Sequence, residues 1–99
     1  MPLFAMIGKN GPDAIAKRGA VRPRHLEHLK ALEREGKIAL AGPLLESDGA
    51  TPSGSLVVFE AADFEAARAH AERDPYVVDG VFASYELRAF TRVFPEGDA

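Results

Sequence analysis

The chain has 99 residues, a formal net charge of −3, 46% hydrophobic and 27% charged residues, and no cysteine. At this length it forms one domain, burying roughly 60 to 65% of its unfolded surface, with no room for a second core. The acidic balance, with Arg22-Pro-Arg-His25 as its only tight basic cluster, argues against nucleic acid as a partner; the missing thiols exclude disulfides, thiolate nucleophiles and sulfur-ligated metals.

The first residues, MPLFAMIGKNGPD, lack a basic n-region and break their apolar run at Gly8-Lys9, so they read as neither signal peptide nor membrane span. A cytoplasmic protein without a membrane partner is expected. Residues 3–7, LFAMI, suit a buried strand. In 24–35, RHLEHLKALERE, Leu26, Leu29 and Leu32 form an apolar stripe, and Lys30 and Arg34 face solvent. With Pro23 at the first helical position and Gly36 past the end, the spacing predicts a helix starting near His25.

Residues 37–44, KIALAGPL, and 54–61, GSLVVFEA, read as strands flanking the turn-rich segment LESDGATPSG. Asp63 suits the N-cap of a second helix, FEAARAHAER. Asp74-Pro75 then predicts a one-turn helix, PYVVDG, closed by Gly80. A last strand over 83–94 carries Tyr85, Leu87, Ala89 and Val93 on its drier side; residues 95–99 read as a frayed tail after a single domain at 1–94.

The order β-α-β-β-α-β implies an α+β, ferredoxin-like antiparallel sheet with its helices on one face. Strands LFAMI, IALA and LVVF are apolar at odd and even positions alike, so the helix-free face is apolar too. A soluble monomer rarely leaves such a face open, which predicts a homodimer packed sheet to sheet.

Three histidines without an HxxxH or HExxH pattern predict no metal site; His25 and His28, three apart, fall on one helix face by chance spacing, and His70 reads as a solvated helix residue. His25, placed in a first helical turn, would be kept neutral by the helix dipole and could serve as general base. Arg22 is either a surface charge or an anion clamp. Asp74 is either an N-cap or an acid that orients His25, and the two roles are compatible if each uses its own carboxylate oxygen. Tyr76 either fills a gap or offers its hydroxyl to a pocket, Ser55 either caps a loop or faces a ligand, and Phe90 could supply apolar wall. No glycine-rich phosphate loop is present, and no cofactor is expected.

Together, Arg22-Pro-x-His25-Leu, Gly36, Ala41-Gly42-Pro43, Gly54-Ser55-Leu56, Asp74-Pro75-Tyr76 and Gly80-Val81 resemble, in order and over residues 3–94, the YCII-related family of small bacterial proteins. The resemblance implies a ferredoxin-like fold that dimerises into an α/β barrel. It also implies a paired histidine and aspartate, here His25 and Asp74, in a cleft proposed as an active site. A related member of the superfamily removes chloride from a chlorinated hydroxyquinol, and muconolactone isomerases share the fold, which points to small cyclic or aromatic acids and enols. The expectation is a small-molecule lyase or isomerase, with Arg22, Ser55 and Tyr76 on the substrate; the alternative is a non-catalytic metabolite- or anion-binding module.

Overall fold

The computed structural model describes residues 1–96, so the expected frayed tail falls mostly outside the described residues. In chain order the elements are β1 (Leu3–Asn10), α1 (Ala14–Arg34), β2 (Ile38–Leu45), β3 (Pro52–Glu60), α2 (Phe64–Glu72), α3 (Pro75–Val78) and β4 (Phe82–Phe90). The four strands form one antiparallel sheet in the order β2-β3-β1-β4, the expected ferredoxin-like α+β arrangement with the one-turn α3 inserted before the last strand.

The most apolar runs take the centre. Phe4 and Met6 of β1 pair with Phe59 and Val57 of β3, and these four side chains meet Val21 and Leu32 of α1 and Ala67 and Ala71 of α2 in one core. Alanine at the buried positions of α2 lets that helix lie close to the sheet. Phe64, at its start, sets its ring edge-on to Phe4 at 6.1 Å. Where β1 and β3 cross at their far ends, Gly8 and Gly54 leave out side chains that have no space. A Cβ at Gly54 would run into the Gly8 carbonyl, and one at Gly8 would enter the Phe82 ring.

Helix α1 departs from the expectation. It begins at Ala14, nine residues before Pro23, and runs through that proline. A proline in a helix interior removes one backbone hydrogen bond and costs about 3 kcal/mol. Packing outweighs that cost, because Ala14, Val21, His25 and Leu32 recur at spacings of seven, four and seven, and all four are buried along one stripe. His25 is therefore the twelfth residue of α1 and not in its first turn, and the dipole argument for its neutrality falls away.

Two further expectations change. Strand β4 ends at Phe90, so Val93 lies beyond it and is exposed. Phe90 pairs with Leu3 on the face away from the helices, so it cannot wall a site on the helix side. That helix-free face also carries Ile7, Leu40 and Leu44, exposed by 36%, 53% and 38%, and Phe90 itself at 44%. Among the described residues no helix is long and apolar enough to cross a membrane.

Candidate active site

Three elements meet where α1 passes over α3 and the start of β4. Asp74 opens α3: its backbone is extended, Pro75 follows at the first helical position, and its Oδ1 accepts the Tyr76 backbone N–H at 2.9 Å. The cap fixes the carboxylate. The same Oδ1 lies 2.7 Å from His25 Nδ1. One oxygen thus does both jobs, which corrects the expectation that the cap and the orienting acid would use different oxygens. A carboxylate only accepts hydrogen bonds, so Nδ1 carries a proton, and in the neutral imidazole the lone pair is on Nε2. Both side chains are withdrawn from water, with Asp74 1% and His25 6% exposed.

Tyr76 completes a stack. Its ring lies parallel to His25, with centroids 3.8 Å apart and planes within 4°. The Arg18 guanidinium sits over the same ring at 4.8 Å. With His25 covering one face, Arg18 is left the other. Seven residues along a helix span about 10.5 Å, enough to hold one aromatic ring between the two side chains. Asn10 Oδ1 accepts a hydrogen bond from Arg18 Nη1 at 3.1 Å, and Asn10 Nδ2 donates to the Pro52 carbonyl, tying the stack to the ends of β1 and β3. Phe82 meets the Tyr76 ring edge-on at 5.4 Å. The Tyr76 hydroxyl is buried without a hydrogen-bond partner, and burial pushes its pKa up against the opposing pull of Arg18 and Arg22.

Of the residues singled out in the sequence, His25, Asp74 and Tyr76 come together. Arg22 is exposed on α1, close enough for its charge to act on the Tyr76 hydroxyl. Ser55 is buried on the helix-facing side of β3 opposite Gly8, and no hydrogen bond joins it to the dyad; the Phe82 ring over Gly8, then Tyr76, stand between. Arg18 escaped notice because reading Pro23 as a helix start hid its spacing, four before Arg22 and seven before His25.

His70 is not the solvated residue expected. Half-buried, it stacks on His28 with centroids 4.3 Å apart, tilts against Phe59 at 5.6 Å, and has Arg73 Nη2 3.3 Å from its Nδ1. A guanidinium only donates, so Nδ1 accepts and Nε2 carries the proton, buried without a partner. Burial first, then the neighbouring His28 and Arg73 charges, push the His70 pKa down to about 4. Burial likewise lowers His28, with Asp74 pulling the other way. Among the described residues no cluster of three or more His, Asp or Glu side chains is arranged for a metal ion.

The YCII-related domain family matches residues 2–91. This chain belongs to the YCII-related family. Its relatives within that family include Protein YciI of Escherichia coli O6:H1 (strain CFT073), 37% identical over 97 residues that cover 93% of this chain and 99% of the relative. The YCII fold is also that of the 5-chloro-2-hydroxyhydroquinone dehydrochlorinase TftG of Burkholderia phenoliruptrix AC1100, solved in complex with 2,5-dihydroxybenzoquinone. It is 27% identical at a TM-score of 0.78, with 90% of this chain and 93% of that chain covered. An antibiotic biosynthesis monooxygenase at 16% identity, with a TM-score of 0.56 over 94% of this chain and 99% of that one, shares the fold alone. The YCII chain thus has the subunit architecture of the dimeric α/β-barrel superfamily.

Proposed function

We propose that this YCII protein is a small-molecule enzyme of the lyase or isomerase type that moves a proton on an anionic or enolisable, cyclic or aromatic substrate without a cofactor. The observation that carries the reading is the buried 2.7 Å contact between His25 Nδ1 and Asp74 Oδ1. With Asp74 holding the Nδ1–H tautomer, Nε2 is the general base that takes a substrate proton and the acid that returns it. Arg22 and the Tyr76 hydroxyl hold the oxygen on which negative charge develops, while Ser55, screened by Phe82 and Tyr76, takes no part. The TftG likeness supports the substrate class, because that neighbour is a dehydrochlorinase of a chlorinated hydroxyhydroquinone and was solved with 2,5-dihydroxybenzoquinone.

Residues 1–94 act as one unit and pair as a homodimer through the exposed apolar face of the sheet, where Ile7, Leu40, Leu44 and Phe90 stand. Covering such a face removes apolar surface from water at about 25 cal/mol per Å². Light scattering at micromolar concentration is expected to give twice the 10.6 kDa chain mass, and a monomer mass refutes the pairing.

The test of the chemistry is a screen of small organic acids, enols and halogenated phenols for thermal stabilisation, followed by turnover of the hits. A ligand at a hundred times its Kd adds about 2.7 kcal/mol. His25→Ala is expected to lose 10² to 10⁴-fold in rate; wild-type turnover by this variant would overturn the mechanism.

A further inference from the structure

Four of the eight arginines of this chain lie against carboxylates in the described structure. Arg24 meets Asp79 at 2.7 Å, Arg68 meets Glu65 at 2.6 Å, and Arg88 and Arg34 meet Glu86 and Glu27 at 3.3 and 3.8 Å. Arg73 bonds His70, and Arg18 and Arg22, one turn apart on α1, also have no acidic partner among the described residues. Acids outnumber bases in the sequence, yet among the described residues neither of these two is ion-paired; Arg18 bonds only the neutral amide of Asn10. Four residues apart on one helix, they repel each other, a spacing that costs a few tenths of a kcal/mol when both charges are alike. The Tyr76 ring contacts both His25 and Arg18, and its hydroxyl, on which both arginine charges act, is buried and lacks an acceptor. Two cations without a carboxylate partner thus act on one orphaned hydroxyl, on the residue whose ring stacks on His25.

We infer that Arg18, Arg22 and the Tyr76 hydroxyl form a recognition site for one planar oxyanion, a carboxylate or a ring enolate, set beside His25. The inference rests on the proposed reading of the site and adds to it a residue, Arg18, and a charge requirement. A guanidinium donates from a flat fork that matches two oxygens of a delocalised anion, which a lysine cannot do. Tyr76, kept in its neutral form by burial, supplies the remaining hydrogen bond as a donor. Its missing acceptor is the oxygen of the ligand, and a buried donor left unpaired costs about 1–3 kcal/mol, which the ligand would relieve. The stack adds rigidity: Arg18 on one face of the ring and His25 on the other hold anion and base in a fixed relation.

The experiment measures equilibrium binding without turnover, by calorimetry, for three probes on the full chain: benzoate, 4-nitrophenolate and the neutral benzamide. Benzoate tests a carboxylate and 4-nitrophenolate a ring oxyanion. Saturable binding of at least one anion and none of benzamide is expected. Arg18→Gln and Arg22→Gln should each weaken that anion roughly ten- to a hundred-fold. Arg18→Lys should recover only part of the loss, and Tyr76→Phe should weaken binding without lowering the melting temperature.

His25→Ala, which also removes the stack on Tyr76, is read by turnover alone. Failure of the acid/base mechanism thus shows in His25→Ala turnover, and failure of the clamp shows in the arginine variants. Benzamide binding as tightly as benzoate, wild-type affinity in Arg18→Gln with its fold intact by circular dichroism, or no binding of either anion at millimolar concentration would each overturn the inference.

Discussion

Asp74 Oδ1 receives His25 Nδ1 at 2.7 Å and the backbone N–H of Tyr76 at 2.9 Å, so the atom that caps α3 is the atom that orients the imidazole. Shape and chemistry at this point cannot be altered separately by removing the side chain. They can be separated by removing only its charge.

Asp74→Asn keeps an oxygen able to accept both hydrogen bonds, and asparagine is a good N-cap, so its cost in stability should stay near 1 kcal/mol. Asp74→Ala loses the cap and leaves a buried imidazole N–H unpaired, for about 2–4 kcal/mol in all. Urea midpoints at constant slope compare the two. Nitrogen-15 shifts of the His25 ring should report protonated Nδ1 in the wild type and a mixture of tautomers in Asp74→Ala; equal stability of the two variants would refute the shared-oxygen account.

The stacked His28 and His70 rings contribute to a loss of stability in acid. Both have folded pKa values below the ordinary 6.5, His70 at about 4. The unfolded chain then binds more protons than the folded one between those values, so this part of the stability is complete above about pH 6.5 and is lost as pH falls toward 4. Each ring contributes a slope of at most about 1.4 kcal/mol per pH unit, less here because both are only half-buried. Denaturant unfolding from pH 7.5 to 4.5 should show the decline, and His70→Gln should flatten it. An unchanged slope in that variant would remove His70 as the cause.

Two glycines predict opposite outcomes for the same substitution. Gly19 lies inside α1 with open space where a Cβ would sit, so Gly19→Ala should stabilise by about 0.5–1 kcal/mol, raising Tm by several degrees. Gly54→Ala puts its methyl into the Gly8 carbonyl of the paired central strand and should cost about 1–3 kcal/mol or more. Calorimetric melting of the two variants side by side checks both signs.

Tyr76→Phe removes a buried hydroxyl that has no partner while keeping the stack on His25, Arg18 and Phe82. Stability should hold or rise slightly, because no hydrogen bond is lost on folding. A drop of more than about 1 kcal/mol in the urea-extrapolated free energy would mean that the hydroxyl is bonded in solution.

The sequence by itself determined the element order, the antiparallel ferredoxin-like sheet and the apolar helix-free face, because period-two and helical patterns and Gly/Pro punctuation are local signals. It also marked Asp74 as a candidate N-cap of a one-turn helix, since Asp-Pro before a short apolar stretch is a local start signal. The tertiary structure decided what depends on packing between distant segments. Burial of Ala14, Val21, His25 and Leu32 carried α1 through Pro23, against the local preference that made the proline look like a start. That extension brought Arg18 over Tyr76 and moved His25 to mid-helix. Only the packing of α2 against α1 placed His70 on His28, and only the fold brought His25 and Asp74, 49 residues apart, within hydrogen-bond reach. No spacing rule encodes such a contact, because it depends on how helix α1 lies across the start of α3.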